Sequence, residues 1–360
     1  MVYSLNIAQV MNSISESFKG HPLHLNHIIP LDFNSLPKVP DSHTWTLPKS
    51  NHNPLPTESI PIIDLLGDSK NTNELIQQAC EKWGVFQIIN HGVPITLLYQ
   101  IEHQTRRLFA LPAKQKLRAM RSPDGLTGYG VARIAPFFPK LMWSEGFSAV
   151  GSPEEHARQL WPHDYTTFCY VMEDYQKEMQ ALSEKIMGLM VTSLGLMRED
   201  VKWFKPNNGS KPPQALLQLN SYPVCPDPSR AMGLAPHTDS SLLTLLYQSN
   251  TSGLQVLHGN SGWVPVPPLA GALVVNVGDL MHILSNGRFK TTLHRAVVNK
   301  AEHRISVAYF FGPLRDAKIS PLIELTDHDH PPLYRPVTWK EYLGVKATYF
   351  NKALDLIRTM

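Results

Sequence analysis

His237 and Asp239 stand two residues apart in LAPHTDSSLLTLLYQ (234–248), just ahead of an apolar, β-branched run. His294 follows 55 residues after Asp239, in FKTTLHRAVVN. A strand projects residues i and i+2 to one side, so the first pair can point together, and a later strand can bring the third group to them. Two imidazoles and one carboxylate leave coordination positions open, which suits a non-haem iron centre that must admit O2 and a co-substrate. Taken alone, His-x-Asp reads equally well as a polar turn and His294 as a core histidine. Arg304 and Ser306, in the otherwise apolar HRISVAYF, shift the balance. A buried guanidinium is costly without an anion, and its planar fork matches a carboxylate. At i and i+2 on one strand the two side chains make a clamp for the far end of a dicarboxylate; the competing reading is an internal Arg–Asp pair.

The surrounding sequence must supply those strands. After Pro212 come ALLQLNSYP, SLLTLLYQ, GLQVLH, WVPVPP, ALVVNVGDLMHILS, FKTTLHRAVVN and RISVAYFFGP, short and separated by Gly, Pro, Asn or Ser. Such spacing predicts a β-sandwich or barrel. Upstream, IPIIDLL reads as a short strand and NELIQQACEKWGVFQIINHGVP as a helix running into a strand. ITLLYQIEHQTRRLFALPAKQKL and TTFCYVMEDYQKEMQALSEKIMGLMVTSLGL carry apolar residues at three- and four-residue intervals, which predicts helices, the second ending at Gly195. TWKEYLGVKATYFNKALDLI predicts a closing helix. The expected architecture is a helical N-terminal half packed around a C-terminal β-core. Its boundaries are an extended, Pro/His/Asn-rich wrapper over 1–58, a helical region over 59–200, the β-core over 210–315 and a loop with a helix over 316–360. The His-rich tract from His21 to His52 is too irregular for a metal site.

With 360 residues and 42% hydrophobic composition the chain can bury a large core. Its 33 basic and 30 acidic residues are interspersed, so nucleic acid and anionic membranes are not expected partners. Three widely spaced cysteines (Cys80, Cys169, Cys225) argue against a disulfide framework and fit a reducing, cytoplasmic setting. No membrane span or secretory signal is read from the sequence.

HTD, then HRAVV and RIS at these intervals, together with IPIIDL, CEKWGVFQIINHGVP and NSYPVCP, resembles the 2-oxoglutarate- and Fe(II)-dependent dioxygenases of the plant type over nearly the whole chain. The resemblance implies an α+β fold: a double-stranded β-helix (jelly roll) flanked by N-terminal helices and a C-terminal helix. It also implies Fe(II) on His237, Asp239 and His294, 2-oxoglutarate held by Arg304 and Ser306 with Tyr222 and Asn220 assisting, and ascorbate as a supporting reductant. One departure is Ser221, where the family carries an aromatic; Tyr222 is in place. GYGVARIAPFFPKLMWSEGF, VVNVGDLMHILSNGRFKTTLHRA and VTWKEYLGVKATYFNKALDLIR look like the gibberellin 3-beta-dioxygenase family. That narrower resemblance implies 3-beta hydroxylation of a gibberellin precursor, a diterpenoid, with release of succinate and CO2 by a monomer.

A rigid apolar polycycle bearing a carboxylate needs apolar walls and a cation. The stretch 128–147 offers Tyr129, Ile134, Phe137, Phe138 and Trp143 as walls, with Arg133 and Lys140 as cations, on a loop that Gly128 and Gly130 could fold over the iron mouth. The alternatives are other plant oxygenases of this type (gibberellin 20-oxidase, gibberellin 2-oxidase or a flavonoid oxygenase), a zinc hydrolase on the same ligands, and a non-catalytic binder on the same barrel.

Overall fold

The computed structural model describes residues 31–46, 58–197, 200–201 and 213–359. Twelve strands form two facing sheets. The large sheet contains β1 (Ile62–Asp64), β2 (Val85–Ile89), β3 (Gly128–Gly130), β4 (Glu145–Ala149), β5 (Ala215–Tyr222), β7 (Leu243–Gln248), β10 (Leu273–Val277) and β12 (Arg304–Phe311), in the order β1-β2-β10-β7-β12-β5-β4-β3. The small sheet, in the order β6-β11-β8-β9, contains β6 (Leu234–His237), β8 (Leu254–His258), β9 (Gly262–Pro265) and β11 (His294–Ala296). This is the double-stranded β-helix with flanking helices that the sequence led us to expect.

Period-two alternation decides what each face of the large sheet does. On β12, Ile305, Val307, Tyr309 and Phe311 enter the main hydrophobic core, while Arg304, Ser306, Ala308 and Phe310 face a cavity between the sheets. β5 repeats the pattern, with Leu217 and Leu219 in the core and Leu216, Gln218, Asn220 and Tyr222 on the cavity. Helices α1 (Ser69–Lys82), α2 (Ile95–Phe109) and α3 (Thr166–Ser193) cover the core face. Four methionines of α3, Met172, Met179, Met187 and Met190, are fully buried there, each stabilising the fold by about 1.5–3 kcal/mol through removal from water. Two shorter helices, α4 (Asp279–Leu284) and α5 (Trp339–Tyr349), lie nearer the cavity mouth. The hydroxyl of Thr338 caps α5 by accepting from the Glu341 N–H at 3.2 Å.

The strands read in IPIIDLL and at the end of NELIQQACEKWGVFQIINHGVP are β1 and β2, which extend one side of the large sheet. Three expectations need correction. The helical region also contributes β3 and β4, on the other side of that sheet. The GYG stretch is the edge strand β3, paired with β4, and not a loop over the mouth. ALVVNVGDLMHILS breaks into β10 and α4 at Gly278, where the apolar run hides a change of period. Helix α2 ends ahead of Pro112, because a proline nitrogen offers no hydrogen for the helical ladder. Most of the predicted N-terminal wrapper, including much of its His-rich tract, lies outside the described residues. In its described part Phe33 packs edge-on to Trp143 with ring centroids 4.9 Å apart. Among the described residues no helix is long and apolar enough to cross a membrane.

Candidate active site

A cavity of about 440 Å³ lies between the sheets. His237, at the end of β6, and His294, at the start of β11, are directly paired in an antiparallel register, so their rings meet with centroids 4.3 Å apart. Asp239 lies two residues beyond β6, and its Oδ1 is 3.7 Å from His237 Nε2 and 3.6 Å from His294 Nε2. Ligand atoms of all three residues fall within 4.8 Å of one another.

Hydrogen bonds fix which ring nitrogen carries the proton. His237 Nδ1 is 2.8 Å from the Ala235 carbonyl and His294 Nδ1 is 3.1 Å from that of Thr292. A carbonyl only accepts, so both Nδ1 atoms donate and both Nε2 lone pairs face Asp239. Burial, with His294 beside it, pulls the His237 pKa down to about 3, keeping the ring neutral. Burial alone would push the Asp239 carboxyl up, yet the two histidines and a hydrogen bond from Thr244 outweigh it and hold the group below the ordinary carboxylate range. Two lone pairs and a carboxylate facing one another repel, and a divalent cation relieves that repulsion. The donor set therefore fits Fe(II), with two nitrogens and one oxygen on one side and room on the other.

The same cavity has a polar part away from the three ligands. Arg304 and Ser306 on β12 stand directly opposite Tyr222 and Asn220 on β5, so the four candidate residues form two alternate rungs on one face of the sheet. Arg304 is buried; its Nη2 donates to Gln248 Oε1 at 3.0 Å, its Cζ sits 4.9 Å from the Tyr222 ring centre, and its Nε and Nη1 reach no acceptor. Leaving guanidinium donors unmade in a buried site is expensive, and a carboxylate from 2-oxoglutarate would engage one edge of the fork, Nη2 with Nη1 or with Nε. Ser221, the departure from the family pattern, turns away from the cavity and hydrogen-bonds His303 Nε2 at 2.9 Å.

Of the residues expected to meet the substrate, Arg133, Ile134 and Phe137 line the cavity, while Tyr129, Phe138, Lys140 and Trp143 do not. Tyr129 is buried and donates its hydroxyl to Glu145. Lys140 donates to the Asp41 carbonyl at 2.8 Å, and Trp143 is buried with its indole N–H on the Pro223 carbonyl at 3.1 Å. The reason is topological: β3 and β4 pair with each other, and only the first part of the connection between them, Ala132 to Phe137, reaches the cavity. At the mouth, Phe137 stacks on Phe350 with centroids 4.7 Å apart.

Sequence reasoning missed Arg121. Its guanidinium lines the cavity and donates to Ser148 Oγ at 3.2 Å. Burial, then the charge of Arg133, pulls its pKa down to about 9, and burial brings Arg133 to about 10, so both stay cationic at neutral pH. The signal was Gly130, read instead as loop flexibility: a Cβ there would lie 3.1 Å from Arg121 Nη2, so the glycine makes room for the arginine. Arg121 and Arg133 add positive charge to one side of the cavity, which an anionic ligand would complement.

A double-stranded β-helix enclosing two histidines, one carboxylate and an under-satisfied arginine has the architecture of a 2-oxoglutarate- and Fe(II)-dependent oxygenase. Residues 213–313 match the 2OG-Fe(II) oxygenase superfamily and residues 60–165 the N-terminal domain described as non-haem dioxygenase in morphine synthesis. The chain is 52% identical to gibberellin 3-beta-dioxygenase 1 of Pisum sativum, covering 97% of this chain and 94% of that one. It is 53% identical to gibberellin 3-beta-dioxygenase 1 of Arabidopsis thaliana, covering 96% and 98%. Among solved structures, JOX2 in complex with 2OG, Fe and JA superposes with a TM-score of 0.77 at 33% identity, covering 91% of this chain and 95% of that one. The chain belongs to the gibberellin 3-beta-dioxygenase family of the 2OG-Fe(II) oxygenase superfamily, and with the family come Fe(II) and 2-oxoglutarate.

Proposed function

We propose that the protein hydroxylates gibberellin precursors at the 3-beta position, consuming 2-oxoglutarate and O2 and releasing succinate and CO2. The observation that carries this reading is that one cavity contains the donor set of His237, Asp239 and His294, the under-satisfied Arg304, and apolar walls with two further arginines. Iron, when bound, supplies the activation of O2 that couples decarboxylation of 2-oxoglutarate to hydroxylation. The protein's own residues do the rest. Arg304 and Ser306 hold the distal carboxylate, with Tyr222 and Asn220 bordering the co-substrate. Leu246, Ala308 and Phe310 line the cavity with apolar surface that excludes water.

Arg133 and Arg121 bring the hormone precursor's carboxylate to a fixed place, which sets the carbon presented to the iron. The three cysteines are buried and unbridged, which supports a cytoplasmic setting.

Arg133 provides the test. Arg133→Ala should raise the KM for gibberellin precursors far more than that for 2-oxoglutarate, by about 10-fold or more for loss of a charged hydrogen bond. It should also narrow the gap between the free acid and its methyl ester, which has already lost the charge. Steady-state kinetics of both substrates on both proteins reads this directly. A variant that discriminates acid from ester as sharply as the parent would place the carboxylate elsewhere, with Arg121 next to examine.

A further inference from the structure

Thr238, between the two residues of the HTD turn, is tied to the C-terminal helix. Lys346 of α5 donates to the Thr238 carbonyl at 2.7 Å, to Thr238 Oγ1 at 2.8 Å and to the carboxylate of Asp279. Asp279 is fully buried and gathers three more donors: Thr238 Oγ1 at 3.1 Å, Thr291 Oγ1 at 2.7 Å and the Tyr342 hydroxyl at 2.7 Å. Its backbone N–H donates to the Asp239 carbonyl at 2.8 Å, and that of Leu280 to the Ser241 carbonyl at 3.1 Å. This approach of α4 to the turn requires Gly278, where a Cβ would lie 1.9 Å from the Ser241 oxygen.

Lys346 also borders the cavity, which makes it a further candidate cation for the substrate. Hydrogen-bond inventory decides against that role. An ammonium has three hydrogens, and Lys346 has three acceptors already in place, two on Thr238 and one on Asp279. The substrate would have to break an ion pair with a fully buried carboxylate to reach it.

We propose that Lys346 and Asp279 are positioning residues: they fix the backbone of the His237–Thr238–Asp239 turn so that Nε2 and Oδ1 converge, and the C-terminal helix thereby sets metal affinity. The inference rests on the reading of His237, Asp239 and His294 as the metal ligands. Outer-shell groups that orient metal ligands typically change affinity about 10–100-fold when removed. A lysine that merely glued α5 to the barrel would change thermal stability and leave metal affinity alone.

The experiment titrates the full-length, metal-stripped protein with Mn(II), counting unbound ion by electron paramagnetic resonance, alongside thermal melts. Lys346→Met should raise the Mn(II) Kd about 10–100-fold. Thr238→Val keeps the shape and the Lys346–Asp279 pair but removes the hydroxyl from both; it should weaken Mn(II) several-fold with its Tm near the parent's, and it decides the matter if Lys346→Met fails to fold. Unchanged Mn(II) affinity in the folded variants, whatever their Tm, would overturn the proposal. Asp239→Ala is the control on the underlying reading. Parent-like Mn(II) binding in that variant would discard the ligand set itself, a result distinct from failure of the positioning role.

Discussion

Replacing Asp239 with alanine should abolish iron binding and turnover while leaving a folded protein. The carboxylate is the only anion in the donor set, and both histidine rings present neutral Nε2 lone pairs to it. Without it two neutral nitrogens remain, on one edge of an open coordination sphere. The loss should far exceed the roughly 10–100-fold that removal of an outer-shell group costs. The fold should survive because the packing of β6, β11 and the core behind β12 does not depend on that side chain, and removing one of three mutually repelling donors relieves strain in the apo state. Iron binding measured on purified apo-protein, with circular dichroism to confirm folding, checks it. Near-parent turnover at limiting iron would mean the metal sits elsewhere.

The second large effect belongs to Arg304. Arg304→Lys keeps the charge but loses the fork. In the parent, one Nη2 hydrogen engages Gln248 while Nε and Nη1 find no acceptor among the described residues, so the fork can hold this neighbour and still offer one edge, Nη2 with Nη1 or with Nε, to a bidentate carboxylate. A lysine ammonium is a single point on a flexible stem and cannot reproduce both. Apparent 2-oxoglutarate affinity should fall by roughly 1.5–3 kcal/mol, about 10- to 150-fold, the worth of a charged hydrogen bond. Iron affinity should hardly move, since Arg304 is not among the clustered metal-ligand candidates. The 2-oxoglutarate KM, taken at saturating iron and gibberellin precursor, is the readout; a parent-like value would remove Arg304 from the clamp.

The parts of the site that were legible in the sequence are those that a strand's period encodes. His-x-Asp and Arg-x-Ser each place two side chains on one face, and the cavity is lined by Arg304, Ser306, Ala308 and Phe310 in that same period. The core of the large sheet could be read for the same reason. What stayed hidden depends on contacts between distant segments. Tyr129 and Trp143 sit in a stretch rich in the residue types a pocket needs, but pairing of β3 with β4 turns Tyr129 into the protein, and Trp143 packs in a cluster with Phe33, Val39 and Cys225. Nothing local marks Arg121 as a cavity residue; its evidence is the missing side chain of Gly130, nine positions on. Lys346 reaches Thr238 across 108 residues of chain, and a lysine on a C-terminal helix carries no sign of that partner. The strands β3 and β4 were missed because each is short, three and five residues, and gains its place from the sheet it joins.

The central claim is that one cavity couples 2-oxoglutarate decarboxylation to hydroxylation of a gibberellin precursor at the 3-beta carbon. The direct measurement is aerobic turnover of purified protein with Fe(II), 2-oxoglutarate, ascorbate and a panel of gibberellin precursors, with succinate and product quantified together by mass spectrometry. The account predicts a 3-beta-hydroxylated product in equal amount to succinate, with its new oxygen drawn from O2 when the gas is isotopically labelled. Hydroxylation at another carbon, or succinate formed with no oxidised precursor, would contradict it.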